Sequence, residues 1–135
     1  MKPKMLFVDD RTKRIHHALN VFTEHYDVTI ATCVPEALRL MSAQDWDVVS
    51  LDHDLNGHDF QDPDTQTCGM EIVRYILKTG WALNRKKPEF WVHSSNLFAA
   101  NLMIVSLKKG GHEAYYNPIT YKVENMQYDE RGLPK

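Results

Sequence analysis

The sequence has no apolar run near the roughly 20 residues needed to cross a bilayer. It has two cysteines, Cys33 and Cys68, too few for a disulfide framework and at no metal-binding spacing. An excess of one charge is also missing: 16 Lys+Arg against 18 Asp+Glu leave a formal net charge of -2. Bulk positive charge therefore cannot hold this chain on nucleic acid or a membrane surface. Only Met5, Leu6, Phe7 and Val8 form an apolar stretch before Asp9-Asp10, which argues against a secretory signal. There is no repeat and no low-complexity tract. What is present is globular composition, 43% apolar and 25% charged over 135 residues, enough for one domain with a real core. A soluble, cytoplasmic domain is the expectation.

Lys4 to Val8 is a short apolar run that stops at acid, the pattern of a strand buried on both faces. Ile15, Ala18, Leu19 and Phe22 then recur at helical spacing. Tyr26 to Ala31 reads as a second strand, and Pro35-Glu36 opens a helix that turns Ala37, Leu38 and Met41 inward. Asp47 to Leu51 is a third strand, stopping at Asp52-His53-Asp54. A long polar loop follows from Asn56 to Cys68. Gly69 to Lys78 is a third helix with Met70, Val73, Ile76 and Leu77 on one side, ended by Gly80. Glu89 to Val92 is a fourth strand that runs into His93-Ser94-Ser95-Asn96. The next helix is expected to bury Phe98, Leu102 and Val105, and His112 to Tyr116 is a fifth strand. The alternation predicts an α/β fold, a three-layer doubly wound five-stranded parallel sheet of flavodoxin-like type. Residues 1–118 form the domain. The polar segment 119–135 gives little support to a fifth helix, and docking on a protein partner is one use for it.

In open parallel sheets ligands bind beyond the carboxyl ends of the strands. Three strand ends carry polar clusters here: Asp9-Asp10-Arg11, Asp52-His53-Asp54 and His93-Ser94-Ser95-Asn96. Converging carboxylates repel one another unless a cation or proton sits among them. A hard divalent cation accepts such oxygen ligands, while Ser94 and Asn96 are placed to orient a phosphate or a water. Each acid alone is also ordinary turn and cap chemistry; three enriched strand ends together favour a site.

The acid pair after the first strand, Asp52 after the third and Ser94 after the fourth resemble the receiver domains of response regulators, over residues 4 to about 118. The resemblance implies Mg²⁺ on the acidic pair plus Asp52, with Asp52 at the phospho-acceptor position and Ser94 at the hydroxyl position. The chain departs from that pattern. Asn117-Pro118 replaces the usual Lys-Pro, the loop after Asp52 is longer, and His53 and His93 are foreign to the usual site. Val8-Asp9-Asp10-Arg11, Ser50-Leu51-Asp52-His53-Asp54-Leu55 and His93-Ser94-Ser95-Asn96, with Asn101-Leu102-Met103, are similar to the cyclic-phosphate-processing receiver family. That pattern runs LDDxR, SLDHDL, a Thr-Gly or similar pair, then HSxN and a following Asn-Met. Cys68-Gly69 stands where Thr-Gly is common, and Leu102 separates the Asn from the Met.

The second resemblance implies a metal-dependent phosphoesterase that opens a cyclic phosphate, on a cyclic nucleotide or an RNA 2′,3′-cyclic end. It implies Mg²⁺ or Mn²⁺ held among Asp9, Asp10, Asp52 and Asp54. Asp52, His53, His93 and Ser94 are then the catalytic candidates, and Arg11, Ser94, Asn96 and Asn101 the substrate-binding ones. The alternatives are a stand-alone atypical receiver that signals through phosphorylation or metal-dependent partner binding, and a nucleotide-binding module without turnover. Cys68 has no histidine at motif spacing and reads as a small packing residue. His58, Asp59, Asp62 and Asp64 fit no calcium loop and read as solvated. Arg85-Lys86-Lys87 and Lys108-Lys109 read as solvated turns.

Overall fold

The computed structural model describes residues 2–55, 61–81, 85–94 and 96–117. The elements run β1 (Lys4–Val8), α1 (Thr12–Phe22), β2 (Asp27–Ala31), α2 (Val34–Ala43), β3 (Val48–Leu51), α3 (Gly69–Thr79), β4 (Glu89–Val92), α4 (Leu97–Lys109) and β5 (Glu113–Tyr116). All strand pairs are parallel and the sheet order is β2-β1-β3-β4-β5. The order reverses between β1 and β3, which creates a crevice at the carboxyl ends of the strands. The expected α/β architecture is therefore present. The expectations for a fifth helix and for the 119–135 segment lie outside the described residues, as do those for His58 and Asp59.

Strand parity divides the core. Leu6, Val8, Val49, Leu51, Phe90 and Val92 pack with α2, α3 and α4 through Ala37, Met41, Ile72, Val73, Ile76, Ala100, Met103 and Leu107. Their neighbours Met5, Phe7, Val48 and Trp91 face the other way, onto Ala18 and Phe22 of α1 and onto Tyr26. Each large side chain fully buried this way contributes about 1.5–3 kcal/mol. Polar residues that continue the second set along their strands must therefore emerge on the α1 side.

Two helices turn differently from their expected stripes. On α4, Phe98 is 77% exposed, and Leu102 and Val105 are exposed too; Ala99, Ala100, Met103 and Leu107 are buried instead. The helix is apolar almost all round, so periodicity could not choose its inner face. Small residues settle it, because Ala99 and Ala100 allow close approach to the sheet. On α3, Leu77 is exposed and Ile72 takes an inward place.

Gly69 fixes how α3 meets β3. Its N–H donates to His53 O at 2.7 Å, and an added Cβ would lie 2.1 Å from Asp52 O and 3.0 Å from His53 Cα. Backbone cannot yield cheaply to such a clash. Gly69→Ala is expected to cost about 2 kcal/mol or more. Gly80, at φ 71° with open space around its Cα, should cost only about 1 kcal/mol on the same change. Urea denaturation midpoints of the two variants check the order, and equal midpoints would contradict the close approach at Gly69.

Candidate functional site

The ladder carries on past the strands in register. Val8 pairs with Leu51 and Leu51 with Val92. The next amides continue the pattern, with Asp52 N donating to Val8 O, His93 N to Leu51 O and Asn117 N to Val92 O. Asp9, Asp52 and His93 thus stand in one row, on the face that also carries Phe7, Ser50 and Trp91. All three are buried, and one ligand atom from each lies within 4.8 Å of the others.

Asp9 is the most heavily bonded member. Its Oδ1 accepts from Arg11 N at 2.9 Å and Arg14 Nη2 at 3.0 Å; its Oδ2 accepts from Arg14 Nε at 2.7 Å and His93 Nε2 at 3.0 Å. Burial pushes this carboxyl up, but the His93 and Arg14 bonds outweigh it and hold it at about 2. His93 stacks on Phe7 with ring centroids 4.6 Å apart and takes Ser50 Oγ at 2.8 Å on Nδ1. Because a carboxylate only accepts, Nε2 carries a proton towards Asp9, and Nδ1 faces the Ser50 hydroxyl.

Asp52 behaves in the opposite way. Burial pushes its carboxyl up to about 6; the pull of His93 and Arg14 does not cancel that burial and the repulsion from Asp9 and Asp54. It accepts from Arg14 Nη2 at 2.9 Å and from His53 N at 2.9 Å. Asp10 lies at the rim, 4.0 Å from Arg14 Nη2.

His53 points to the α3 side of the sheet. Its Nδ1 contacts Asp54 Oδ1 at 2.9 Å. Burial works against its imidazolium, but the Cys68 sulfur and the Asp54 carboxylate outweigh that and raise its pKa. Burial likewise pushes the Cys68 thiol up, while His53 more than reverses this and brings it to about 7. Cys68 is buried in the core at the N-cap of α3, the packing place expected of it, and the loop also sets it beside an imidazole distant in sequence.

The other expected residues have structural partners. Asp54 Oδ1 accepts from Gln61 N at 2.8 Å as well as from His53, which anchors the loop. It is outside the converging Asp9–Asp52–His93 set. Ser94 Oγ accepts from Asn96 N at 3.0 Å and keeps its own proton to donate. Asn96 caps α4, its Oδ1 accepting from Ala99 N at 3.2 Å. Arg11 and Asn101 are exposed. The guanidinium that bridges the acids belongs to Arg14, one turn further on. Its sequence signal was the i,i+4 spacing from Asp10 and a helix start that is basic where the dipole favours acid. Ser50 had a signal as well, as the one polar residue in an otherwise apolar strand. Asn117 Nδ2 is buried with no hydrogen-bond partner.

The two central acids should move stability in opposite directions. An acid whose folded pKa is depressed stabilises above its unfolded pKa and loses that contribution as pH falls through the folded value. Asp9→Asn should therefore lower Tm at about pH 7. Asp52 has a raised folded pKa, so its ionisation weakens the fold fully above about 6 and not at all below its unfolded value. Asp52→Asn keeps the acceptor for His53 N and leaves Arg14 its two bonds to Asp9. It should raise Tm at about pH 7.5, with the gain shrinking as pH falls below about 6. Thermal melts across this range check both signs, and a Tm drop in Asp52→Asn at neutral pH would contradict the raised pKa.

Among solved structures the chain is similar to the receiver domain of response regulator 1452 from Francisella, at 24% identity and TM-score 0.61, covering 87% of this chain and 85% of that one. A CheY-like receiver domain protein from Methanospirillum hungatei JF-1 matches at 19% identity and TM-score 0.58, covering 87% and 83%. A response regulator protein from Burkholderia pseudomallei, solved with a phosphorylated aspartic acid, calcium ion and citrate, matches at 18% and TM-score 0.59. That match covers 85% of this chain but only 59% of the other. These likenesses carry the fold. No curated protein matches the chain. The family described as Cyclic-phosphate processing Receiver domain matches residues 4–109. The chain belongs to that family of receiver domains.

Proposed function

We propose that the carboxyl edge of the sheet holds a divalent cation and opens a cyclic phosphodiester. The supporting observation is the convergence of Asp9, Asp52 and His93 within 4.8 Å on one face, in a chain of this family. Two buried carboxylates that converge are an oxygen donor set that Mg²⁺ and Mn²⁺ both accept, so the residues fit the group. Asp9 and Asp52 would hold it, with Asp10 at the rim. When bound, a divalent cation supplies Lewis-acid polarisation of a phosphoryl oxygen and a lower pKa for bound water.

The chain's own side chains do the rest. His93, fixed by Ser50 and stacked on Phe7, orients Asp9. The Ser94 hydroxyl keeps a proton to donate to a non-bridging phosphate oxygen, and Arg11 stands exposed at the same edge. Asn117 Nδ2 brings a buried donor without a partner to the end of β5. His53 supports the Asp52 backbone from the α3 side through Asp54 and Cys68. Asn96 caps α4 in the same reading, and exposed Asn101 is left for contacts with a larger substrate. In the reaction a water oxygen bonds to phosphorus, the bond from phosphorus to one ring oxygen breaks, and that oxygen leaves as a hydroxyl after taking a proton. Residues 1–118 are the unit that carries this chemistry, with 119–135 left for a protein partner.

A second reading, phosphoryl acceptance by Asp52, is favoured by its position after β3 in a receiver fold. The lack of an amine at Asn117 and the guanidinium on Asp52 weigh against it. Incubation of the purified protein with 2′,3′-cyclic and 3′,5′-cyclic nucleotides and Mg²⁺ or Mn²⁺ separates the two. Metal-dependent conversion to the phosphomonoester is expected, falling about 100-fold or more in Asp52→Asn and strongly in His93→Ala. Stable labelling of Asp52 by a small phosphodonor, with no ring opening, would overturn the first reading for the second.

A further inference from the structure

Among the described residues, every hydrogen bond and ion pair of the Arg14 side chain is to an acid of the candidate cation site. Nε and Nη2 grip both oxygens of Asp9, and Nη2 also reaches Asp52 Oδ2 at 2.9 Å. Asp10 Oδ1 is 4.0 Å away. A single guanidinium nitrogen therefore lies between the two carboxylates that would bridge a cation. Mg²⁺ sits about 2.1 Å from each ligand oxygen, so a cation shared by Asp9 and Asp52 needs the space and the lone pairs that Nη2 now takes.

The placement of Arg14 supports a device rather than an accident of packing. It is in the first turn of α1, beside Arg11 and Lys13, and that turn holds no acid. Positive charge at a helix N-terminus is unfavourable against the dipole, so the carboxylates are what hold Arg14 there. The side chain is 21% exposed, while those of Asp9 and Asp52 are 0% and 2% exposed. The arginine can therefore swing to solvent from a site whose acids cannot move. Its Nη1 takes no part in these bonds.

We propose that Arg14 is a built-in counter-ion that competes with the divalent cation for Asp9 and Asp52 and so sets the metal affinity of the edge. The proposal rests on the reading that this edge takes a divalent cation, but it does not need the cyclic ester. With the cation bound, Arg14 leaves Asp52 and both oxygens of Asp9, so that Nε–H as well as Nη2 is released. It is then a positioning residue released towards the rim, where an anionic ligand would approach.

The test is metal binding without substrate, by calorimetric titration of Mn²⁺ and Mg²⁺ into the wild type, Arg14→Met and Arg14→Lys, at a pH near 8 so that Asp52 is ionised. Arg14→Met should bind on the order of tenfold more tightly, the factor set by releasing one charge-assisted hydrogen bond. Arg14→Lys, which keeps the charge, should stay within about threefold of the wild type. Should Arg14→Met fail to fold, the wild type still decides the matter. Its Arg14 Nε–H signal in NMR should lose exchange protection as Mg²⁺ is added, with the midpoint of binding. Equal or weaker binding by Arg14→Met, or an Nε–H that stays protected at saturating Mg²⁺, overturns the proposal and leaves the cation site standing. Binding by no variant overturns both. Tighter binding by Arg14→Met with no cyclic ester opened leaves the counter-ion in place and removes the proposed reaction.

Discussion

The structure depends on one buried carboxylate. Asp9 has no exposure, so its charge is tolerable only because four donors from three residues neutralise it or bond to it. Those donors tie together parts of the chain distant in sequence. Arg11 and Arg14 bring the start of α1, His93 brings the end of β4, and through His93 the hydroxyl of Ser50 brings β3. None can leave unless another positive or donating group takes its place, because the buried charge is out of reach of solvent. The carboxyl edge is built around this constraint, and Asp52 is ionised in a space already shaped by its neighbour.

The two acids show how environment divides labour between identical groups. Asp9 collects most of the donors and is held at about 2; Asp52 shares Arg14 and is pushed to about 6. Burial acts on both in the same sense. The difference is the direct His93 bond and the two-pronged grip of Arg14, which go to Asp9. A pair of carboxylates separated in this way gives an edge with one permanent negative charge and one that responds to whatever enters.

Much of this was legible in the sequence. Five apolar runs, each stopped by polar residues, fix the parallel sheet, and the acid after β1 and β3 with His93 after β4 marks the edge. The face that each of these residues takes follows from alternation: Phe7 and Asp9, Ser50 and Asp52, Trp91 and His93 share parity. Three features were not legible, for physical reasons. The inner side of α4 is hidden because that helix is apolar all round, and only the smallness of Ala99 and Ala100 decides it. The contact of Cys68 with His53 depends on the path of a loop, which no local spacing encodes. Arg11 stands next to the acids in sequence, yet it is Arg14 whose side chain reaches both of them, because the helix carries it one turn round to the face that Asp9 and Asp52 share.

Asn96 adds a mechanical consequence. Its Oδ1 caps α4 at Ala99 N, while its Nδ2 stands 3.5 Å from Asp54 Oδ1, the oxygen that also anchors Gln61 and His53. One amide thus pins the head of a helix to the root of a loop. A slide of α4 along the sheet carries its cap residue with it and so pulls on that loop oxygen. The head of that helix and the root of the loop are therefore geared to each other, and what displaces one tugs on the other.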